Sequence, residues 1–498
     1  MRRTISTRHL PTICLPVAGL LMLIYHAVGR SAGMPFMLTL DDSYIHLTLA
    51  RNLAETGVLG LNPGEGGGGS SSAAWTFLLT LFYKFGAKLD VTAWGMSAVF
   101  GLLSGWAAGR LARVVLEGWY AWAAGLAMAM SGMMIANALT GMETTAALFF
   151  FLVALERSVS GSPVAAALLF AVGSLFRPEL ALGFLPLAWQ AWRQPIDDTM
   201  QRKLQGGAIF IGLPLVAAAG VLLLVWVSNG FPSTFAGRQW LAGMPQHPLQ
   251  EFGLYLAAVG NGLQQYLVRI SSFIGPAHGF GLIWGTIVLL LSAWGLWRLW
   301  IKGNGYRTII GLSILPTLFF LLFLPTTGQM GRYHLISWML LPLTTVLGIR
   351  EASSFKHSTT VKRVLPWAAL FLAAGYIPQA IRWGGWHHDT AHHLATVHLS
   401  MAHTVKGHVE PDDPVAAFDI GLLSWQSGCR VIDLGGLTGG DMVEAMYERR
   451  VAERLVKRNV PYIILPEMWQ GDPQRFQFAE RLGLSTADLQ PLERRELD

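Results

Sequence analysis

Long apolar runs recur along most of the chain, and most are close to the length of a helix that crosses a bilayer. They fall near residues 11–29, 91–109, 119–137, 142–157, 162–177, 179–193, 206–228, 279–299, 306–325, 333–350 and 364–381. Two further stretches, 73–86 and 252–275, are short or interrupted by polar residues, which favours interfacial or re-entrant helices. The pattern therefore predicts an α-helical membrane protein with about eleven transmembrane helices.

The pattern changes after residue 384. Two short, mostly apolar runs, 415–419 and 431–434, and a third at 461–466 predict strands, while 441–458 has the period of an amphipathic helix. The sequence thus predicts a transmembrane domain over 1–384, with a first extramembrane loop at about 30–90. It also predicts a small α/β domain over 385–498.

Composition agrees with a membrane protein, because 52% of the residues are hydrophobic and only 13% are charged. Soluble domains carry about 25% charged residues. The net charge of +6 does not indicate nucleic-acid binding, since the Lys and Arg residues are spread over short loops. Two cysteines, Cys14 and Cys429, form no disulfide framework. The basic N-terminus followed by a long apolar run indicates an uncleaved signal anchor.

The distribution of basic residues predicts the orientation. With the N-terminus in the cytoplasm, Lys and Arg on the inner side outnumber those on the outer side about two to one, as the positive-inside rule requires. An odd number of crossings then puts the residues after about 382 outside the cytoplasm. Every chemically distinctive segment falls on that outer face, which predicts one outward-facing site assembled at several helix ends.

Asp41 and Asp42 directly follow the first predicted span and its short loop. Carboxylates at the membrane boundary are costly to keep from water, so they indicate function. One of them could act as a general base on an acceptor hydroxyl, and the other could orient it or hold a divalent cation. In the alternative interpretation, Asp42 is only the N-cap of a surface helix over 43–56. That helix carries three further candidate binding residues, Tyr44, His46 and Arg51.

A Gly- and Ser-rich tract at 66–72 follows this helix. Its composition is that of a flexible connection. It could also close over a bound acceptor, as mobile loops do in other enzymes.

Other polar candidates lie at predicted outer helix ends. Glu143 begins an apolar helix, and Arg177 and Glu179 flank a proline at a helix break. Each could line the same cavity as Asp41. The simpler interpretations are an interfacial acid and an internal ion pair.

Arg238 and Arg332 are the candidates for phosphate recognition, because guanidinium groups match phosphate in geometry and keep their charge. Tyr333 and His334 follow Arg332 and could assist it. Both arginines could instead only reach towards the membrane interface. Seven histidines between 387 and 408 indicate a solvated linker helix, although the spacing of His388 and His392 would permit a metal.

Several segments resemble the GT-C-fold glycosyltransferases. The run DDSYIHLTLARNLAETGVLGLNPGE (41–65), followed by AAWTFLL (73–79), is similar to the first extracytoplasmic loop of the branch that includes bacterial arabinofuranosyltransferases. Later runs look like signatures of the same group: GMETT (141–145), LFRPE (175–179), GFPSTFAGR (230–238), GRYHL (331–335) and FDIGLLSWQSGCRVIDLGGL (418–437). The chain departs from the group at GEGGGGSSSAA, where relatives carry a bulkier segment, and at Arg238, where Lys is common.

The resemblance implies an inverting transferase that uses a polyprenyl-phosphate sugar. Asp41 matches the acid usually assigned as catalytic base and Asp42 its partner. The candidates that would line the donor and acceptor cavity are Glu143, Arg177, Glu179, Arg238 and Arg332. The resemblance favours arabinofuranose, and the acceptor is left open among glycan, lipid and protein. A transporter of lipid-linked sugars and a non-catalytic envelope scaffold remain as alternatives. No nucleotide-binding P-loop or zinc-protease motif occurs.

Overall fold

The protein is described here from a computed structural model. The described residues are 6–30, 35–67, 69–70, 72–192, 236–274, 280–303, 306–326, 331–352, 359–438, 440–465 and 482–484. The predicted span 206–228 lies outside them, as do residues 230–235 of the GFPSTFAGR run.

Helices dominate the described chain. The α-helices are Leu10–Gly29, Asp41–Thr56, Ala73–Lys84, Leu89–Val115, Gly118–Ala129, Gly132–Ala138, Thr144–Val159, Pro163–Phe176, Phe184–Trp192, Ala236–Leu241, Phe252–Ile274, Phe280–Lys302, Tyr306–Phe323, Leu335–Trp338, Leu341–Ala352, Thr359–Ala374, Tyr376–His393, Leu399–His408, Gly421–Gln426, Gly440–Tyr447 and Val451–Lys457. A 3₁₀ helix covers Pro178–Gly183, and a π-helical turn covers Leu394–His398. Three strands follow: β1 (Pro414–Ala417), β2 (Arg430–Asp433) and β3 (Tyr462–Ile464).

Within the described residues, six helices are long and apolar enough to cross a membrane, or seven if one bent pair counts as a span. They are Leu10–Gly29, Leu89–Val115, Ile283–Lys302, Tyr306–Phe323, Leu335–Ala352 and Val364–His408, and the bent pair is Gly118–Ala129 with Gly132–Ala138. The shorter predicted spans near 142–157 and 162–177 are helical as well. The prediction of a polytopic helical membrane protein with a small α/β region is confirmed.

The chain divides into two compact units, each assembled from three segments. Unit 1 comprises 1–31, 94–221 and 261–388, and unit 2 comprises 32–93, 222–260 and 389–498. The predicted first loop and the predicted C-terminal domain therefore belong to the same unit.

Unit 1 holds most of the apolar helices. The helix Phe280–Lys302 packs closely along Leu341–Ala352. The approach is close enough that a Cβ on Gly295 would lie 2.1 Å from the carbonyl oxygen of Thr344. Small residues at such a crossing let two membrane helices approach closely. Charged side chains at the helix ends are paired, as in the contact of 2.8 Å between Arg110 Nη2 and Glu156 Oε1.

Unit 2 contains a parallel sheet with strand order β2-β1-β3. One face packs on Asp41–Thr56 and Leu399–His408, through Ile45, Leu49 and Val405 among others. The opposite face packs on Gly440–Tyr447 and Val451–Lys457. A parallel sheet needs cover on both faces, which explains why the residues of β1 and most of those of β2 are buried.

The first loop docks on the edge strand β2. The side-chain amide of Asn62 donates to the carbonyl oxygen of Val431 at 3.0 Å, and its oxygen accepts from the Val431 amide at 2.9 Å. Asn52 supports this loop from within by donating to the carbonyl oxygens of Gly60 and Leu61. The loop thus acts as an extension of the sheet edge.

The prediction of one helix over 441–458 is wrong. The structure has two helices separated at Glu448–Arg450. Arg449 adopts a left-handed φ of 57°, and the Val451 amide donates to the carbonyl oxygen of Leu482 at 3.2 Å. This hydrogen bond accompanies the break between the two helices. The hydrophobic period of residues 441–458 cannot reveal it, because Leu482 lies outside that segment.

Candidate active site

The helix Asp41–Thr56 begins at the aspartate pair. Its N-cap is Leu40, in extended conformation, and no side chain caps it, so the alternative interpretation of Asp42 as the N-cap is wrong. Both carboxylates lie in the first turn, where the helix dipole favours negative charge. Their side chains are therefore available for contacts outside their own helix.

Asp41 reaches the segment after β1. Its Oδ2 accepts from the Gly421 amide and its Oδ1 from the Leu422 amide, each at 2.8 Å. His398 Nδ1 lies 3.5 Å from Asp41 Oδ1. Asp41 therefore joins its helix to the start of Gly421–Gln426 and to the π-helical turn.

Asp42 forms an ion pair with Arg238, which lies on Ala236–Leu241. Both side chains are partly exposed. Two residues that are 196 positions apart in sequence, and that the sequence analysis proposed for different tasks, are thus brought together. A guanidinium presents several N–H donors in a planar fork, a geometry that suits phosphate oxygens.

Two residues of this cluster, Asp419 and His398, escaped the sequence analysis. Asp419 follows the carboxyl end of β1, and His398 belongs to the histidine run interpreted as a solvated linker. The one available signal was position, because side chains just beyond the carboxyl ends of parallel strands commonly bind ligands.

The electrostatics of Asp419 distinguish it from its neighbours. Asp419 is exposed as a residue, yet the protein around its carboxyl desolvates that group and raises its pKa above the ordinary value. His398 and Arg238 oppose this rise, while the charges of Asp41 and Asp42 add to it. Asp419 therefore sits among both signs of charge on an accessible surface.

Asp433, at the end of β2, shapes the adjoining loop. Its Oδ2 accepts from the Thr438 amide at 2.7 Å and from the Thr438 hydroxyl at 3.3 Å. Burial raises the pKa of Asp433 to about 6. Its contacts hold the glycine-rich loop that follows β2.

The other candidates on Asp41–Thr56 face inward. The Tyr44 hydroxyl accepts from the Leu38 amide at 3.0 Å, and His46 Nδ1 lies 2.9 Å from the Thr76 hydroxyl. Arg51 lies over the Trp425 ring at 4.7 Å and donates to the carbonyl oxygens of Ser424 and Trp425. These contacts brace the helix, and a ligand-binding role for the three residues stays a prediction.

A second polar cluster lies in unit 1. Arg177 Nη1 contacts Glu143 Oε1 at 3.2 Å, and its Nε bonds to Glu179. The guanidinium of Arg332 lies 5.2 Å above the Tyr333 ring, and that of Arg177 lies 5.6 Å from it. All five residues are buried. From the sequence we expect these residues to line the same cavity as Asp41, which belongs to unit 2, and that expectation stays a prediction.

His334 completes this cluster. Its Nε2 lies 3.0 Å from the carbonyl oxygen of Thr326, and its ring stacks on Trp338 with centroids 5.1 Å apart. These two contacts fix the orientation of the imidazole. A role of His334 in binding stays a prediction.

A metal ion stays a prediction. Among the described residues, no three His, Cys, Asp or Glu side chains come together as ligands. Asp41 is directed at two amides and His398, and Asp42 at a guanidinium, so the pair does not form an open set of oxygen ligands.

Taken together, the membrane helices and the small α/β region define a GT-C-type membrane fold. Among solved structures, the oligosaccharyltransferase of Archaeoglobus fulgidus in its apo form is similar, with a TM-score of 0.54, 12% identity, and coverage of 92% of this chain and 69% of that chain. AglB from the same organism, in complex with an inhibitory peptide and a dolichol-phosphate, has a TM-score of 0.55 and 11% identity, with coverage of 90% of this chain and 69% of that chain. ArnT from Cupriavidus metallidurans, bound to undecaprenyl phosphate, has a TM-score of 0.51 and 14% identity, with coverage of 86% of this chain and 88% of that chain.

The TM-scores show a shared fold, and with identities of 11–14% the likeness extends to the fold alone. At the level of sequence, a family model described as a domain of unknown function (DUF8728) matches residues 384–493. A comparison with curated proteins finds no match.

We expect Gly237→Ala to destabilise unit 2. A Cβ there would lie 1.6 Å from the carbonyl oxygen of Gly435, so the backbone that carries Arg238 must move. Overpacking of this kind typically costs about 1–3 kcal/mol. Thermal unfolding of the purified protein in detergent should show a lower midpoint. The matched control is Gly253→Ala, whose Cβ meets nothing within 4 Å. An unchanged midpoint for Gly237→Ala would contradict the placement of this segment.

Proposed function

We propose that the protein is an inverting glycosyltransferase that moves a sugar from a polyprenyl-phosphate donor to an acceptor outside the cytoplasm. The observation that carries this proposal is the cluster of charged side chains in unit 2: Asp41, Asp42, Arg238, His398 and Asp419. A GT-C-type fold supports it, since proteins with this fold were solved with dolichol-phosphate and undecaprenyl phosphate.

The proposed reaction is a single displacement. An acceptor hydroxyl attacks the anomeric carbon while a carboxylate of the cluster takes its proton. The bond between the anomeric carbon and the phosphate oxygen breaks, and polyprenyl phosphate leaves. Positive charge must stabilise this leaving group, and Arg238, which belongs to the same cluster as the carboxylates, is the candidate within unit 2. Asp42 keeps the Arg238 guanidinium within the cluster.

A lipid-linked donor follows from the proposed location, because nucleotide sugars are confined to the cytoplasm. The resemblance to arabinofuranosyltransferases supports arabinofuranose as the sugar. We propose no single acceptor class among glycans, lipids and proteins. The alternative functions, transport of lipid-linked sugars and scaffolding, predict no chemical change of the donor.

The function can be tested with purified protein and a panel of polyprenyl-phosphate sugars. We expect a glycosylated product and free polyprenyl phosphate in equal amounts for at least one donor, detected by mass spectrometry. Movement of an intact donor across proteoliposome membranes would favour a transporter instead. Binding of cell-wall polymer without turnover of any donor would favour a scaffold.

We also propose that unit 2 faces the outside of a bacterial inner membrane, with the N-terminus in the cytoplasm. Arg449 and Arg450 are exposed between two helices of unit 2 and offer a trypsin site. In spheroplasts, trypsin should cleave the tail while a tag at the N-terminus stays intact. The control is the same digestion after lysis, in which both are accessible. Cleavage of the tail only after lysis would refute this orientation.

A further inference from the structure

Asp419 lies at the carboxyl end of the central strand of unit 2, a position where side chains commonly contact ligands. It lies two residues beyond the end of the central strand β1 and two residues before the helix Gly421–Gln426. The connection from β1 leads to one neighbouring strand, β2, while β3 pairs with the other side of β1. In parallel sheets, a crevice forms at the carboxyl ends of neighbouring strands whose connections lead to opposite sides, and ligands commonly bind there.

The three carboxylates differ in what their oxygens contact. Both oxygens of Asp41 accept amide hydrogens, and its side chain is 12% exposed. Asp42 is paired with Arg238, and its side chain is 17% exposed. Asp419 is an exposed residue, and within the described part of the chain its carboxyl interacts with its neighbours through charge alone, without a hydrogen bond. Its oxygens are therefore the ones in this cluster that a described protein group does not already occupy.

We propose that Asp419 is the general base that accepts the proton of the acceptor hydroxyl, and that Asp41 is a positioning residue that fixes the segment carrying Asp419. This inference rests on the proposed glycosyltransferase function and assigns its base. The amides that Asp41 holds belong to Gly421 and Leu422, two and three residues after Asp419. Asp41 thus sets the position of the base through the backbone.

The proton and the electron pairs balance in this scheme. The acceptor O–H proton moves to a carboxylate oxygen of Asp419 as the oxygen forms its bond to the anomeric carbon. The electron pair of the broken bond stays on the phosphate, which leaves as polyprenyl phosphate. The proton of Asp419 then returns to water.

The surroundings of Asp419 suit a base. The charged groups around it are Asp41 and Asp42 from one helix, Arg238 from a second, and His398 from the π-helical turn. Desolvation and the two aspartates raise the pKa of Asp419 towards the pH at which the protein works, although His398 and Arg238 oppose them. A base whose pKa lies nearer the working pH accepts a proton more effectively in the transition state.

The test is Asp419→Asn in the full-length protein, with a donor that the wild type uses. We expect a loss of kcat of about 100-fold to 10,000-fold, the usual contribution of a general base. Affinity for polyprenyl phosphate, measured by titration, should stay within about threefold, because no contact to the donor is removed. Asp419→Glu should retain partial activity. The matched control is Asp412→Asn, an exposed acid before β1 that should behave as wild type.

The pH profile separates a base from a structural residue. In the wild type, kcat should fall as the pH is lowered, because protonation of Asp419 removes the base. The apparent pKa of this acid limb should lie above the ordinary range of an aspartate. This limb should disappear from the residual activity of Asp419→Asn. Activity within tenfold of wild type, or an unchanged acid limb, would overturn the assignment of Asp419. A wild type that turns over no donor would instead refute the proposed function itself.

Discussion

Asp41→Asn is expected to lower sugar transfer by at least about 100-fold, the cost typical of misplacing a reacting group by about 1 Å. The carboxylate of Asp41 accepts two amide hydrogens at once. A carboxamide keeps one acceptor oxygen and turns an NH₂ group towards the other amide, so one of the two contacts becomes repulsive. It also removes the negative charge opposite His398. The segment that carries Asp419 should then shift.

Transfer and protein quality must be measured on the same sample. We expect normal expression and a monodisperse profile in detergent for Asp41→Asn, because the substitution preserves volume. The matched control is Glu65→Gln, which removes an exposed ion pair to Arg430 in the same loop. Exposed pairs contribute about 0–1 kcal/mol, so this control should stay close to wild type. Equal activity in Asp41→Asn and Glu65→Gln would remove Asp41 from the site.

Arg177→Met should have the largest effect on stability. The guanidinium compensates two buried carboxylates, Glu143 and Glu179. Removing one partner of a buried ion pair strands the opposite charge and costs about 3–5 kcal/mol. We therefore expect a large fall in the thermal midpoint of unit 1, or aggregation during purification.

A triple variant tests the cause. Arg177→Met combined with Glu143→Gln and Glu179→Gln removes all three charges and should recover much of the lost stability, because neutral replacement of a buried ionic cluster is often tolerated. A triple variant as unstable as the single one would show that packing of Arg177, and not charge, is responsible. A single variant as stable as wild type would contradict the ion-pair account.

Local pattern is enough to predict the three strands of unit 2. Short apolar runs place them within a few residues, and the aspartate pair stands out by its place at the membrane boundary. The meeting of Asp42 with Arg238 could be expected only as a general convergence of outer segments. No property of either run specifies that these two side chains pair.

The residues that escaped the sequence analysis are those defined by long-range contact. Asp41 and Gly421 are 380 positions apart, and their bond depends on how β1 enters the sheet. His398 has six histidine neighbours between 387 and 408, so composition pointed to a solvated linker. Its contact with Asp41 depends on the π-helical turn that ends at His398. Asp419 lies in a run recognised for its resemblance, and only the strand boundary marks it as special.

The central claim is that the charged cluster of unit 2 performs chemistry on a lipid-linked sugar. Its most direct test is a single-turnover measurement with wild type and the Asp41→Asn, Asp419→Asn double variant, each loaded with the same measured fraction of donor. The account predicts donor binding within about threefold for both proteins, and transfer at least about 1,000-fold slower in the double variant. Transfer by the double variant within tenfold of wild type would contradict it.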